Sequence, residues 1–358
     1  MRRDKAYARV AALLIVFALS AGVTWPPLPE RDGEAALPAQ EWPQRPGPRT
    51  ITAYLRYPGG ALAQVTAETG LMLVLHNWGG TAWRGAPDPN QLIARYNVIA
   101  IGVDYLQSGP YDAGSDPPYD FGYLQAMDAL RALWWVHDGL KAINKPFDRG
   151  RIYATGGSGG GNVALMANKF APRTFACIVD LCGMAKLSDD IAFGLPGGSR
   201  LNAGYQREND ASRALPAHAQ EIRFVGFPAH LEQMRVLGNT THVITVHGVE
   251  DDACPVEDKR EMVAHMQAAG LHVTGHFITP DDLDGEALQN AGHALGDRTR
   301  ILFRFADPHL LPDAPDAGRT IAPNDFECRD DAVVYTVTGG RYVVSYYAGY
   351  PAIRFERD

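Results

Sequence analysis

Residues 151–170, RIYATGGSGGGNVALMANKF, set Ser158 among five glycines, between a short β-branched run and an alanine-rich one. Three kinds of strand-to-helix turn fit such a segment, and the choice among them decides the fold. A phosphate-binding loop needs Gly-Lys-Ser/Thr so that a lysine meets the phosphates, and the first lysine after the glycines is Lys169. That reading fails. A dinucleotide-binding turn fits better, because Gly159, Gly161 and Ala164 satisfy G-x-G-x-x-A and Asp180 ends the next apolar run, where a ribose ligand would sit. It falls mid-chain, however, after earlier strands have been laid down. The third is the G-x-S-x-G elbow, Gly156-Gly157-Ser158-Gly159-Gly160. There the serine stands strained at the edge of a sheet, and the helix that follows aims its first N–H groups at developing negative charge.

On both sides of the elbow, strand and helix patterns alternate. TITAYLRYP and ALAQVTA read as strands around a Gly-Gly turn; GLMLVLH, YNVIAIGVDY, RIYATG, TFACIVDL and HVITVHG read as further strands. YDFGYLQAMDALRALWWVHDGL, NVALMANKF, DKREMVAHMQAAG and DRTRILFRFA carry helical spacing. Such alternation predicts an α/β fold, a mostly parallel twisted sheet with helices on both faces, over residues 50–319. Residues 184–240 interrupt it and read as a lid-like insertion over the carboxyl edge of the sheet. Residues 25–49 are Pro-rich and read as a linker without regular structure. Residues 320–358 alternate with period two around Thr-Gly-Gly and read as a β-hairpin appendage.

The elbow needs partners in a set order, and the chain supplies them. After HVITVHG, the layout H-G-x-x-D puts Asp251 on the loop leaving that strand, with Asp252 beside it as an alternative; LQNAGHALG supplies His293 before the last helix. With Ser158 these residues resemble the α/β-hydrolase superfamily, and the H-G-x-x-D loop is similar to the prolyl-oligopeptidase-like and dienelactone-hydrolase-like esterases and peptidases. The resemblance implies Ser158 as nucleophile, His293 as base and Asp251 as its orienting acid. Asp180 is a further candidate for the acid, at a position some hydrolases of this fold use. The resemblance also implies an oxyanion hole from the backbone of Gly159 and of the loop His76-Asn77-Trp78-Gly79-Gly80, with Trp78 as donor and Asn77 in reserve. Asn77, Trp78, Trp83, Tyr105 and Tyr111, with the insertion from Gly183 to Thr240, are expected to shape an apolar substrate pocket. Gly157 stands where a bulkier residue is common, which suggests a widened pocket. A metal or cofactor is not required by this chemistry. The large N-terminal propeller of prolyl oligopeptidases proper has no room here.

Composition limits the remaining choices. The chain has 358 residues, 46% of them hydrophobic, enough to bury a full core, and a formal charge of −8. Beyond the N-terminus no cluster of Lys and Arg suits a nucleic-acid backbone, so the expected partner is a small-molecule or polymeric ester, or a peptide. MRRDKAYAR followed by VAALLIVFALSAGV reads as a signal peptide over residues 1–24, hence a secreted or periplasmic protein, with an uncleaved outward-facing anchor as the alternative. Export would let cysteines bridge, and Cys254 with Cys328 would tie the tail to the main domain. An ester hydrolase is the leading expectation. A serine peptidase comes next, and a non-catalytic exported binding protein on the same scaffold is a third reading.

Overall fold

The computed structural model describes residues 24–207, 211–314, 317–320 and 323–358; the signal-peptide reading falls on residues 1–24, nearly all outside that range. The main sheet comprises β1 (Gly33–Ala39), β2 (Arg49–Arg56), β3 (Gly70–Leu75), β4 (Val98–Asp104), β5 (Ile152–Gly157), β6 (Cys177–Leu181), β7 (His242–Gly248) and β8 (Val273–Ile278). Their spatial order is β1-β2-β4-β3-β5-β6-β7-β8. β1, β2 and β4 pair antiparallel, and every pairing from β4 to β8 is parallel.

Alternation along the strands explains the two apolar layers. Leu71, Leu73 and Leu75 of β3 face α2 (Tyr123–Ala142) and α3 (Gly159–Phe170), with Met262 and Met266 of α7 (Val256–Ala268) in the same core. Met72 and Val74 face the other way, toward Leu92 and Tyr96 of α1 (Pro89–Tyr96) and Ile301 and Leu302 of α8 (Arg298–Leu310). The chain leaves β3 for β4 on one side, then returns to β5 on the other. The carboxyl ends of β3 and β5 therefore flank a topological switch point, where open α/β sheets leave a crevice for ligands.

Several expectations change on the structure. Residues 33–39 are not a linker: they add β1 to the sheet in register with β2, from Gly33 opposite Leu55 to Ala39 opposite Arg49. Pro38 is tolerated there because β1 is an edge strand. Upstream, Trp25 packs edge-on against Trp134 and Trp135 Nε1 donates to the Pro26 carbonyl. The expected strand ALAQVTA is instead a single 3-10 turn, Leu62–Gln64, because it lacks β-branched alternation. The C-terminal hairpin gains a third strand, giving an antiparallel sheet of β9 (Val333–Val337), β10 (Gly340–Ser345) and β11 (Ala352–Arg357) in the order β11-β10-β9. Cys254 and Cys328 are unbridged, as are Cys177 and Cys182.

Residues 184–240 carry α4 (Asp189–Phe193), α5 (Ala217–Ile222) and α6 (Pro228–Val236). Met184, Leu187, Ile191, Ala203 and Tyr205 pack with Tyr119, Phe121, Ala253 and Cys254, all from loops at the carboxyl edge of the sheet. Farther on, His230 bonds the Thr336 carbonyl and Glu221 accepts from Thr338 N–H, so the same segment also seats the C-terminal sheet.

Candidate active site

Ser158 forms the turn from β5 to α3 with φ 55° and ψ −120°, a region that non-glycine residues seldom enter. The turn is held by Ser158 N–H donating to the Leu181 carbonyl at 2.8 Å and by Asn162 N–H donating to the Ser158 carbonyl at 3.1 Å. Close approach explains the next residue: a Cβ on Gly159 would lie 2.6 Å from the Trp78 nitrogen. As the first residue of α3, Gly159 has its N–H ahead of the helical ladder, free for an external acceptor.

The partners arrive from the other side of β5. Asp251 is on the loop after β7 and His293 on the loop between β8 and α8. His293 Nε2 lies 2.8 Å from Ser158 Oγ, and His293 Nδ1 lies 3.0 and 2.9 Å from the two oxygens of Asp251. A carboxylate can only accept, so Nδ1 carries the proton and Nε2 is left to accept from the serine hydroxyl. Asp251 also accepts from the Ala253 and Cys254 N–H groups at 2.9 and 2.8 Å. Burial pushes its pKa up, but the His293 hydrogen bond and these donors outweigh burial and hold it below the usual carboxylate value.

The oxyanion-loop peptide is oriented by His76. His76 Nδ1 donates to the Asn77 carbonyl at 2.8 Å, and Gly80 N–H reaches the same oxygen at 2.9 Å. A trans peptide turns its N–H away from its carbonyl, so Trp78 N–H faces the elbow, where it donates to no atom among the described residues. Buried His76 stacks on Tyr105 and its Nε2 lies 2.6 Å from the Ser108 hydroxyl; burial lowers its basicity.

The profile of the prolyl oligopeptidase family matches residues 135–282. Among solved structures, Pyrococcus horikoshii acylaminoacyl peptidase superposes with a TM-score of 0.53 at 14% identity, covering 80% of this chain and 43% of that one. A Mycobacterium tuberculosis puromycin-hydrolyzing peptidase gives a TM-score of 0.51 at 16% identity, covering 76% and 38%. The chain has the α/β-hydrolase fold. It resembles prolyl-oligopeptidase-like serine hydrolases, while spanning less than half the length of these two proteins. No curated relative matches the sequence significantly.

Within this α/β-hydrolase fold the remaining sequence candidates separate. Asp252 is exposed and pairs with Arg200 at 2.9 Å, away from His293. Asp180 is fully buried and committed to Lys259, Thr245 Oγ1 and Gly183 N–H, so it does not reach His293. The Asn77 side chain packs between Gly80 and Gly85 inside its own loop rather than lining a substrate pocket. Trp83 points to the opposite layer, against Gly102 of β4, because its loop folds back under the sheet edge. Tyr105 is buried with its hydroxyl on the His76 carbonyl, and it lines a neighbouring cleft of about 590 Å³ between residues 42–50 and the loop after β4. Gly157 does not widen a pocket: the Arg298 guanidinium occupies the space its Cβ would take and donates to the Gly85 carbonyl.

Two further residues escaped sequence reading. His247, in the H-G-x-x-D motif itself, has Nε2 2.8 Å from the Cys254 carbonyl and 3.3 Å from Asp251 Oδ2, bracing the acid loop. Arg298 left one signal, the unusual glycine at 157. The Cys182 thiol also approaches Asp251 and His293; burial, with the nearby Asp251 charge adding to it, drives its pKa up and keeps it protonated.

Proposed function

We propose that this chain is a serine hydrolase that cleaves carboxylic esters through an acyl-enzyme. The observation that carries the reading is the continuous Asp251–His293–Ser158 hydrogen-bonded array beside the Trp78 N–H, which has no partner among the described residues. As Ser158 Oγ bonds to the ester carbonyl carbon, its proton passes to His293 Nε2, and Asp251 steadies the imidazolium. The carbonyl oxygen takes the negative charge and the Trp78 and Gly159 N–H groups receive it. Collapse breaks the C–O bond, the alcohol leaves with the His293 proton, and a water repeats the sequence to release the acid. No residue in this scheme calls for a metal or cofactor.

Peptide cleavage is the second reading, supported by the prolyl oligopeptidase match over residues 135–282. An ester and an anilide sharing one acyl group separate the two. Rapid-quench kinetics are expected to show a burst of alcohol from the ester, with kcat/KM for the anilide lower by at least about 100-fold (1.4 kcal/mol per factor of ten). Comparable values for both would favour the peptidase. Export rests on the N-terminal sequence pattern, and a fusion to a reporter active only outside the cytoplasm tests it.

A further inference from the structure

The loops after β3 and β4 bring three aromatic rings together beside the elbow. The indole of Trp78 lies 3.6 Å, centroid to centroid, from the ring of Tyr119 and 4° from parallel to it. Tyr111 meets both rings edge-on, at 5.6 Å from Trp78 and 5.1 Å from Tyr119. Because Tyr111 is no farther from the second ring than from the first, it flanks the stack instead of capping it. The Tyr111 hydroxyl is taken by the Ala203 carbonyl at 2.7 Å, and Tyr119 is buried, so the indole is clamped on one face and one edge. Trp78 itself is only part-buried, and no other ring meets it among the described residues.

Strand order decides which half of a substrate this ring would meet. Asp251 and His293 come from loops beyond β6, on one side of Ser158, whereas Trp78, Tyr111 and Tyr119 come from loops after β3 and β4, on the other. The leaving oxygen must face His293 Nε2 to receive its proton. An acyl substituent that points away from His293 meets the indole, whose own backbone N–H would hold the carbonyl oxygen.

We propose that the face of Trp78 turned away from Tyr119 is an acyl-binding platform that selects esters of acids carrying a planar aromatic ring. This rests on the reading of Ser158 as nucleophile. A rigid indole plane favours a flat ring that can lie offset on it over a puckered ring of equal size. Phe193 and Leu201, part-buried in the same cluster, add an apolar border from the inserted segment.

The test compares methyl 3-phenylpropanoate with methyl 3-cyclohexylpropanoate, which share the leaving group and chain and differ in the acyl ring, flat and aromatic in one and puckered and aliphatic in the other. The wild type is expected to prefer the phenyl ester in kcat/KM by about tenfold or more (the scale on which apolar pockets discriminate). Trp78→Leu keeps the backbone N–H and should reduce that ratio to near one. Trp78→Phe should restore part of it. Tyr111→Leu, which removes the flanking ring and its hydrogen bond to Ala203 but leaves Trp78 in place, serves as a second variant if Trp78→Leu misfolds, and should lower the ratio. A ratio near one in the wild type, or a ratio that Trp78→Leu and Tyr111→Leu leave unchanged, overturns the platform. Fluorophosphonate labelling of Ser158 in the same preparations keeps the outcomes apart. Labelled enzyme without ring selectivity defeats the platform alone, and unlabelled folded enzyme defeats the hydrolase reading beneath it.

Discussion

At the scale of single residues, the neighbouring carboxylates give opposite expectations. Asp251→Asn would leave His293 without a charged acceptor and in the wrong tautomer, so kcat is expected to fall by roughly four orders of magnitude. Asp252→Asn, which breaks only an exposed pair with Arg200, should cost less than about tenfold. Steady-state kinetics on the two variants decide between them, and the reverse ranking would move the acid to Asp252. His247 carries a pH signature. Burial, followed by the Lys259 charge, lowers its pKa from 6.5 to about 4. Between those values the unfolded chain binds a proton that the folded chain does not, so stability is full above about 6.5 and is lost as the pH falls toward 4. In urea denaturation at pH 7, 5.5 and 4.5, His247→Gln should flatten the slope by up to about 1.4 kcal/mol per pH unit. An unchanged slope would mean that His247 takes up no proton on unfolding in this range.

At the scale of elements, the elbow and α8 are locked to each other through Gly157 and Arg298. Gly157→Leu is expected to destabilise the fold by about 1–3 kcal/mol through overpacking against the guanidinium. Combining it with Arg298→Ala should recover much of that loss in a double-mutant cycle, whereas simple additivity would show that the two do not compete for space. The bare glycine at 157 is the one local sign of this contact, and it does not name a partner 141 positions away in the chain. By contrast, Ser158 and Asp251 sit where buried apolar runs end, and His293 in the loop ahead of the last helix, so their order along the chain is readable from the order of strands and helices. Parallel strands such as GLMLVLH stand out as continuous apolar runs. VTGHFI of β8, half-buried at the sheet edge with a glycine inside it, does not. β1 was hidden by prolines that an edge strand accommodates, and α1 was overlooked although Asp88 caps it and Pro89 opens it. The aromatic placements were hidden for a different reason: Trp78 and Trp83 share the loop after His76, but its turns send them to different layers.

At the scale of the whole molecule, the C-terminal sheet is part of the core and not an addition to it. Tyr335 and Tyr346 are fully buried, and their hydroxyls donate to the Lys169 and Phe170 carbonyls at the end of α3. Arg173 pairs with buried Asp325, whose carboxylate also receives Thr174 Oγ1 at 2.9 Å. A chain ending at residue 319 would expose this apolar surface and leave Arg173 without its partner. The full protein is therefore expected to melt in one calorimetric transition and the truncated chain to lack a cooperative one; two separate transitions in the full protein would show that the sheet folds on its own. The central claim concerns Ser158, and the most direct measurement is reaction of the folded protein with a fluorophosphonate probe, followed by peptide mapping, for wild type and Ser158→Ala. A single adduct on Ser158 that is absent from the variant is the predicted result. A folded wild type that takes no label, or takes it equally in the variant, would contradict an activated serine at the elbow.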